Sequence, residues 1–223
     1  MINAILFDLD DTLYDEMQFV KGGFKAVSFY IARQHHLNQR DVYQLLIKTL
    51  ERHGRGHVFD IALDKLDLQN HYTVSILVEM YRTHQPHLSL YPDAVALLSA
   101  LKKKRYKLGL ITDGNVKAQR NKVDALKLQR FFDCIIFSDK YGADKRKPNP
   151  FPYEKMLKEL HAKAEEAVYV GDNPQKDFVS AKKIGMKTVR ILRGPYKTVT
   201  APQDYDADYT ITDLKSLFIL LHI

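Results

Sequence analysis

The stretch Ala4-Ile5-Leu6-Phe7-Asp8-Leu9-Asp10-Asp11-Thr12-Leu13 runs from a short, uninterrupted apolar segment straight into acids. Four consecutive apolar residues suit a strand covered on both faces, as in a parallel sheet. In extended chain, residues two apart point the same way. Asp8 and Asp10 therefore leave the strand end side by side. Two converging carboxylates repel unless a cation or a shared proton lies between them, and a hard divalent ion such as magnesium prefers oxygen ligands. The same residues also describe a turn rich in Asp, so the motif alone leaves both readings open.

Working outward, similar apolar runs recur at Leu108-Gly109-Leu110-Ile111, Cys134-Ile135-Ile136-Phe137, Ala167-Val168-Tyr169-Val170 and Thr188-Val189-Arg190-Ile191-Leu192. Helical spacing predicts helices near 93–104, 115–128, 150–162 and 176–184 between them, with a last strand at Tyr209-Thr210-Ile211 and a short C-terminal helix. Strands alternating with helices imply an α/β fold, a doubly wound parallel sheet. From Glu16 to His84 the pattern changes to helices only, near 16–35, 39–53, 57–67 and 70–84, with Gly22-Gly23 as a break or kink in the first. The expected division is an α/β core domain of residues 1–15 and 87–223 and a smaller helical cap domain of residues 16–86 inserted after the first strand. Pro86 and Pro92 would form the hinge, and the cap would sit over the carboxyl end of the sheet, where open α/β folds bind ligands.

Three later strand ends also carry polar clusters. Thr112-Asp113-Gly114-Asn115 offers a hydroxyl and backbone N–H groups at a helix start, which suits a phosphate and equally an N-cap in a tight turn. Gly142-Ala143-Asp144-Lys145-Arg146-Lys147-Pro148-Asn149-Pro150 either presents a lysine to the site or forms a basic surface loop. Gly171-Asp172-Asn173-Pro174-Gln175-Lys176-Asp177 places Asp172 at a strand end and Asp177 a turn later, where both could ligate a metal directly or through water or serve as turn and helix-start acids. Each cluster is ambiguous by itself. Neighbouring parallel strands would bring all four to one rim, and one shared site explains them together.

The whole-chain properties narrow the partners. The 223 residues carry 34 Lys and Arg against 27 Asp and Glu, a formal net charge of +7, which favours anionic ligands. No zinc-finger spacing, aromatic-and-glycine RNA motif or repeat accompanies that charge, so nucleic acid is not the expected partner. The run Lys102-Lys103-Lys104-Arg105 follows an apolar helix pattern and suits a helix end. No apolar run is long enough to span a bilayer, so no membrane partner is expected. The single cysteine, Cys134, lies in an apolar run and reads as a buried, reduced thiol. The first residues enter a strand with no basic leader, and the expected location is cytoplasmic.

In this order, the motifs resemble the haloacid dehalogenase-like (HAD) superfamily of hydrolases over nearly the whole chain. The resemblance implies Asp8 as nucleophile, Asp10 as general acid and base, Thr112 as phosphoryl-binding hydroxyl and Lys147 as motif lysine. It further implies Asp172 as a metal ligand beside Asp8 and Asp10, the last through its backbone carbonyl, with Asp177 as a supporting acid. Two residues are inserted before Lys147 relative to the commonest spacing, which leaves Lys145 as an alternative. The helical insertion resembles the cap of the type I subfamily. Dehalogenating members lack the second aspartate of the first motif, and mutases usually carry Gly at the position of Asp11, so this chain resembles the phosphatases.

The implied activity is a magnesium-dependent phosphatase acting on a small phosphorylated metabolite, a sugar phosphate or a nucleoside monophosphate, through an aspartyl-phosphate. Thr112, Asp113, Gly114 and Lys147 would bind the phosphate. Lys21, Asn115 and the glycine-flanked Arg55 are candidate substrate contacts, with Arg55 equally readable as part of a solvated connection. The alternatives are a 2-haloacid dehalogenase and a non-catalytic protein that binds phospho-ligands or nucleic acid on the same fold.

Overall fold

A computed structural model describes residues 1–221. The chain divides into two compact units, one formed by Met1–Glu16 together with the residues from Leu88 onward, the other by Met17–His87.

In the first unit the described strands are β1 (Ala4–Phe7), β2 (Lys107–Thr112), β3 (Cys134–Phe137), β4 (Ala167–Gly171), β5 (Lys187–Ile191) and β6 (Tyr209–Ile211). They form one sheet in the order β3-β2-β1-β4-β5-β6, with every described pairing parallel. All four residues of β1 and all five of β4 are buried, as the continuous apolar runs require. The helices of this unit are α5 (Pro92–Lys103), α6 (Val116–Ala125), α7 (Phe151–Glu159), α8 (Val179–Lys183) and α9 (Ser216–Leu220). Proline at the first turn of α5 costs no hydrogen bond there, and the basic run falls in its last turn and just beyond. One core cluster joins Leu6, Ile111, Ile136, Tyr153, Met156, Tyr169 and Phe178.

Register places the site. Phe7 is level with Leu110 of β2 on one side and with Val170 of β4 on the other. The Asp8 N–H donates to the Val170 carbonyl at 2.9 Å, so strand geometry holds through the first acid. From β1 the sequence proceeds to β2 and β3 on one side and to β4, β5 and β6 on the other. The order therefore reverses beside β1, the crevice where such sheets bind ligands.

The second unit contains α1 (Met17–His35), α2 (Gln39–His53), α3 (Val58–Lys65) and α4 (Val74–Thr83). Asn38 caps α2, its side-chain oxygen accepting the Arg40 N–H at 2.8 Å. Phe24, Val27, Ile31, Leu46, Phe59 and Leu77 share its core. Gly22 and Gly23 do not break α1, contrary to expectation. A Cβ on Gly23 would collide with the Tyr81 ring, and one on Gly22 would lie 2.7 Å from the His84 ring. The glycines admit these side chains against the helix, and that packing outweighs their weak helix propensity.

Two further differences are local. The helix expected over 176–184 begins only at Val179, because Asn173–Phe178 form a turn that carries Asp177. Cys134 is a free thiol, but partly rather than fully buried, since β3 is an edge strand of the described sheet.

Candidate active site

Three carboxylates meet where β1 and β4 end. Asp8, Asp172 and Asp177 each offer an oxygen, all within 4.8 Å of one another, and all three residues are buried. Burial raises the Asp8 carboxyl to about 7, opposed by Lys147 and reinforced by Asp177. Burial, with Asp177 and Asp8 adding like charge, raises Asp172 to about 9. Three crowded acids with hard oxygen donors fit a divalent cation, which would neutralise the repulsion that otherwise drives protons onto them. Gly171 makes the cluster possible: a Cβ there would lie 2.5 Å from an Asp177 oxygen.

Lys147 closes the buried side of this cluster. Its ammonium donates to Asp8 at 2.5 Å, to Asp177 at 2.8 Å and to the Tyr169 hydroxyl at 2.9 Å. Burial works against its charge, but Asp177 and Asp8 outweigh it and keep the lysine protonated far above its ordinary range. Asp177 is further fixed by the Asn173 N–H at 3.0 Å. The structure thus selects Lys147 over Lys145 as the lysine of the cluster. Lys145 is only partly buried and pairs with its neighbour Asp144 at 3.0 Å.

The Asp10 carboxylate belongs to a second cluster. Lys122 of α6 donates to both its oxygens, at 2.8 and 2.9 Å. The Tyr14 hydroxyl donates at 2.6 Å and the Gln119 amide at 3.2 Å. Burial pushes the Asp10 carboxyl up, but Lys122 and these donors prevail and hold it below the usual carboxylate range. Asp8 and Asp10 therefore occupy different environments. The neutral-leaning acid is Asp8 and the ionised one Asp10, the reverse of the order an attacking Asp8 and a donating Asp10 require at the start of reaction. The balance causes this: at Asp8 burial, with Asp177 adding like charge, outweighs Lys147, whereas at Asp10 Lys122, Tyr14 and Gln119 outweigh burial. Next after Asp10 in sequence, Asp11 takes a left-handed backbone, φ 54°, while its carboxylate accepts the Glu16 N–H at 3.1 Å.

The tip of β2 differs in detail from the expected phosphate seat. The Thr112 hydroxyl is buried and donates to Gln119 at 3.0 Å. The Gly114 N–H donates to Asp139 at 2.9 Å, and the Asn115 oxygen caps α6 by accepting the Ala118 N–H at 3.1 Å. Asp113 accepts from the Ser138 hydroxyl at 2.7 Å, from the Lys147 N–H at 3.2 Å and from the Lys176 ammonium at 3.1 Å. Its side chain brackets the two lysines and offers an anion no donor. In the helical unit, Lys21 is an exposed residue of α1 and Arg55 lies exposed in the connection between α2 and α3.

Sequence reasoning missed Tyr14, Gln119, Lys122, Ser138 and Lys176. One signal was present: Gln119 and Lys122 lie three apart on α6, the spacing that puts two side chains on one helix face.

Residues 5–191 match the haloacid dehalogenase-like hydrolase family. Glyceraldehyde 3-phosphate phosphatase from Methanocaldococcus jannaschii is 38% identical, the match covering 97% of this chain and 96% of that protein. The protein of that name from Pyrococcus furiosus is 34% identical over 99% of this chain and 93% of its own length. Among solved structures, a HAD phosphatase from Thermococcus onnurineus is similar at a TM-score of 0.65 and 27% identity, covering 99% of this chain and 98% of that one.

Proposed function

The chain belongs to the haloacid dehalogenase-like hydrolases, and from that premise we propose that it is a magnesium-dependent phosphatase that hydrolyses a small phosphomonoester through an aspartyl-phosphate on Asp8. The observation that carries this reading is the buried cluster of Asp8, Asp172 and Asp177 clamped by Lys147. Sugar phosphates are the leading substrate class, a choice the names of the two phosphatase relatives favour, with nucleoside monophosphates second.

Asp8 and Asp172 would hold the cation, together with the Asp10 backbone carbonyl, while Asp177 is committed to Lys147 and the Asn173 N–H. When bound, magnesium would neutralise the crowded carboxylates, keep Asp8 ionised and draw charge from the phosphoryl oxygens. Lys147 fixes the orientation of Asp8 and supplies positive charge toward the transferring group.

An Asp8 oxygen attacks phosphorus as the bond to the substrate oxygen breaks, which divides one difficult displacement into two easier ones. Asp10 gives a proton to the departing alkoxide and then takes one from the attacking water. The reversed proton affinities of the resting site fit this once substrate arrives, because a phosphate dianion beside Asp10 raises its carboxyl by like charge. Thr112 would exchange its bond to Gln119 for one to the phosphoryl group, and backbone N–H groups at the tip of β2 would join it. Lys21 and Arg55 remain the proposed contacts for the rest of the substrate.

The test is phosphate release from glyceraldehyde 3-phosphate with magnesium, with excess chelator, and with Asp8→Asn. Activity that requires the metal and disappears in the variant supports the reading; activity indifferent to both refutes it.

A further inference from the structure

We propose that Lys122 and Tyr14 are positioning residues for proton transfer, holding the Asp10 carboxylate where it serves the departing alcohol and the incoming water while taking no part in the attack by Asp8. The inference rests on the phosphatase reading above and adds to it a division of labour between two buried lysines.

The geometry is specific. The Lys122 side chain is 3% exposed, and its ammonium lies within 2.9 Å of both Asp10 oxygens, with Glu16 at 3.5 Å. It comes from α6, 112 residues along the chain. The Tyr14 ring is fully buried, and its hydroxyl donates to one of the two Asp10 oxygens that Lys122 holds, at 2.6 Å. Gln119 holds the other oxygen and also accepts from Thr112. Both oxygens of Asp10 are thus gripped from separate elements, which leaves the carboxylate a single orientation. Lys147, in contrast, makes its ion pairs with Asp8, Asp177 and, at 4.0 Å, Asp113.

Stability alone gives little reason for Lys122. A buried ion pair is often matched or bettered for the fold by well-packed apolar groups of similar volume. Catalysis does give a reason, since a proton carrier works only when held within hydrogen-bond reach of the reacting oxygen. The two chemical steps depend on Asp10 unequally. An alkoxide must be protonated as it departs, whereas a p-nitrophenolate is a stable anion and leaves unaided. Hydrolysis of the aspartyl-phosphate needs a base for water whatever the first substrate was.

Rapid-mixing kinetics on the full chain with magnesium separate these cases. In Lys122→Met, p-nitrophenyl phosphate should give a burst near one nitrophenolate per site, at a rate within about threefold of the unaltered protein. The later steady state, and single-turnover cleavage of an alkyl phosphate, should fall on the order of 10²-fold. Tyr14→Phe should show the same selectivity on a smaller scale, about three- to tenfold, and carries the test if Lys122→Met fails to fold. In an Asp10→Asn background, Lys122→Met should cost less than about threefold more, because a residue acting only through Asp10 has nothing left to act on. The inference is overturned if the burst and the alkyl cleavage slow by the same factor, or if the Lys122 loss multiplies the Asp10 loss. If the unaltered protein cleaves neither substrate, or Asp8→Asn cleaves both at full rate, the phosphatase reading fails first and takes this inference with it.

Discussion

The rim of the sheet and the helical unit treat charge in opposite ways. At the rim, Asp8, Lys122, Lys147, Asp172 and Asp177 are all buried, and the two lysines form ion pairs there from 2.5 Å upward. In the helical unit the buried set is almost wholly apolar, with Ser28 and Thr49 the buried polar side chains among its described residues. The helical unit follows the ordinary rule that burial stabilises through apolar contact. The rim breaks that rule, and such departures mark places where function rather than stability selects the residue. Damage to the helical core should therefore appear as lost stability alone, and damage at the rim as lost chemistry with it.

The largest effect is expected from Lys147→Met. It removes the cation between Asp8 and Asp177, whose side chains are 5% and 0% exposed. Phosphate release should fall roughly 10³-fold, and urea unfolding should report a loss of about 3–5 kcal/mol. A variant equally stable and fully active would erase the contrast. Leu46→Ala probes the other side: Leu46 is fully buried in the helical unit, so stability should drop by about 2–5 kcal/mol. Turnover of p-nitrophenyl phosphate per folded molecule should stay the same, and a parallel fall in turnover would merge the two regions.

Gly171→Ala sharpens the comparison at a single methyl group. The new Cβ would sit 2.5 Å from an Asp177 oxygen and 2.8 Å from its carboxyl carbon. The carboxylate must move, at a cost of about 1–3 kcal/mol, and magnesium binding measured by calorimetry should weaken along with stability. Arg55→Ala is expected to be the mildest. Arg55 is exposed, so stability should change by no more than about 0.5 kcal/mol. As a proposed substrate contact, its loss should raise KM for a sugar phosphate and leave it level for the aryl phosphate.

Much of the sheet was legible because most strands hold a nearly continuous apolar run, and acids at a strand end are visible as letters. The pairing of those acids was not. The sequence shows Asp8 and Asp10 two residues apart on an extended segment, which suggests a shared environment. Folding instead gives Asp8 to Lys147 and Asp10 to Lys122, partners 139 and 112 residues away. Local periodicity carries no information about which distant lysine arrives. Asp177 was placed a turn after the strand, at the start of a helix, yet the turn of Asn173–Phe178 is stabilised by its own side chains, with the Asn173 oxygen accepting the Gln175 N–H at 2.9 Å, and the helix starts late. Gly22 and Gly23 were misread for a similar reason, since only the packed Tyr81 and His84 reveal why glycine stands there.

The central claim is that strand tips far apart in sequence assemble one cation site, and calorimetric titration of magnesium tests it most directly. The unaltered chain should bind one ion, and Asp172→Asn should weaken that binding at least about tenfold. A variant that binds magnesium as tightly as the unaltered chain would contradict the account.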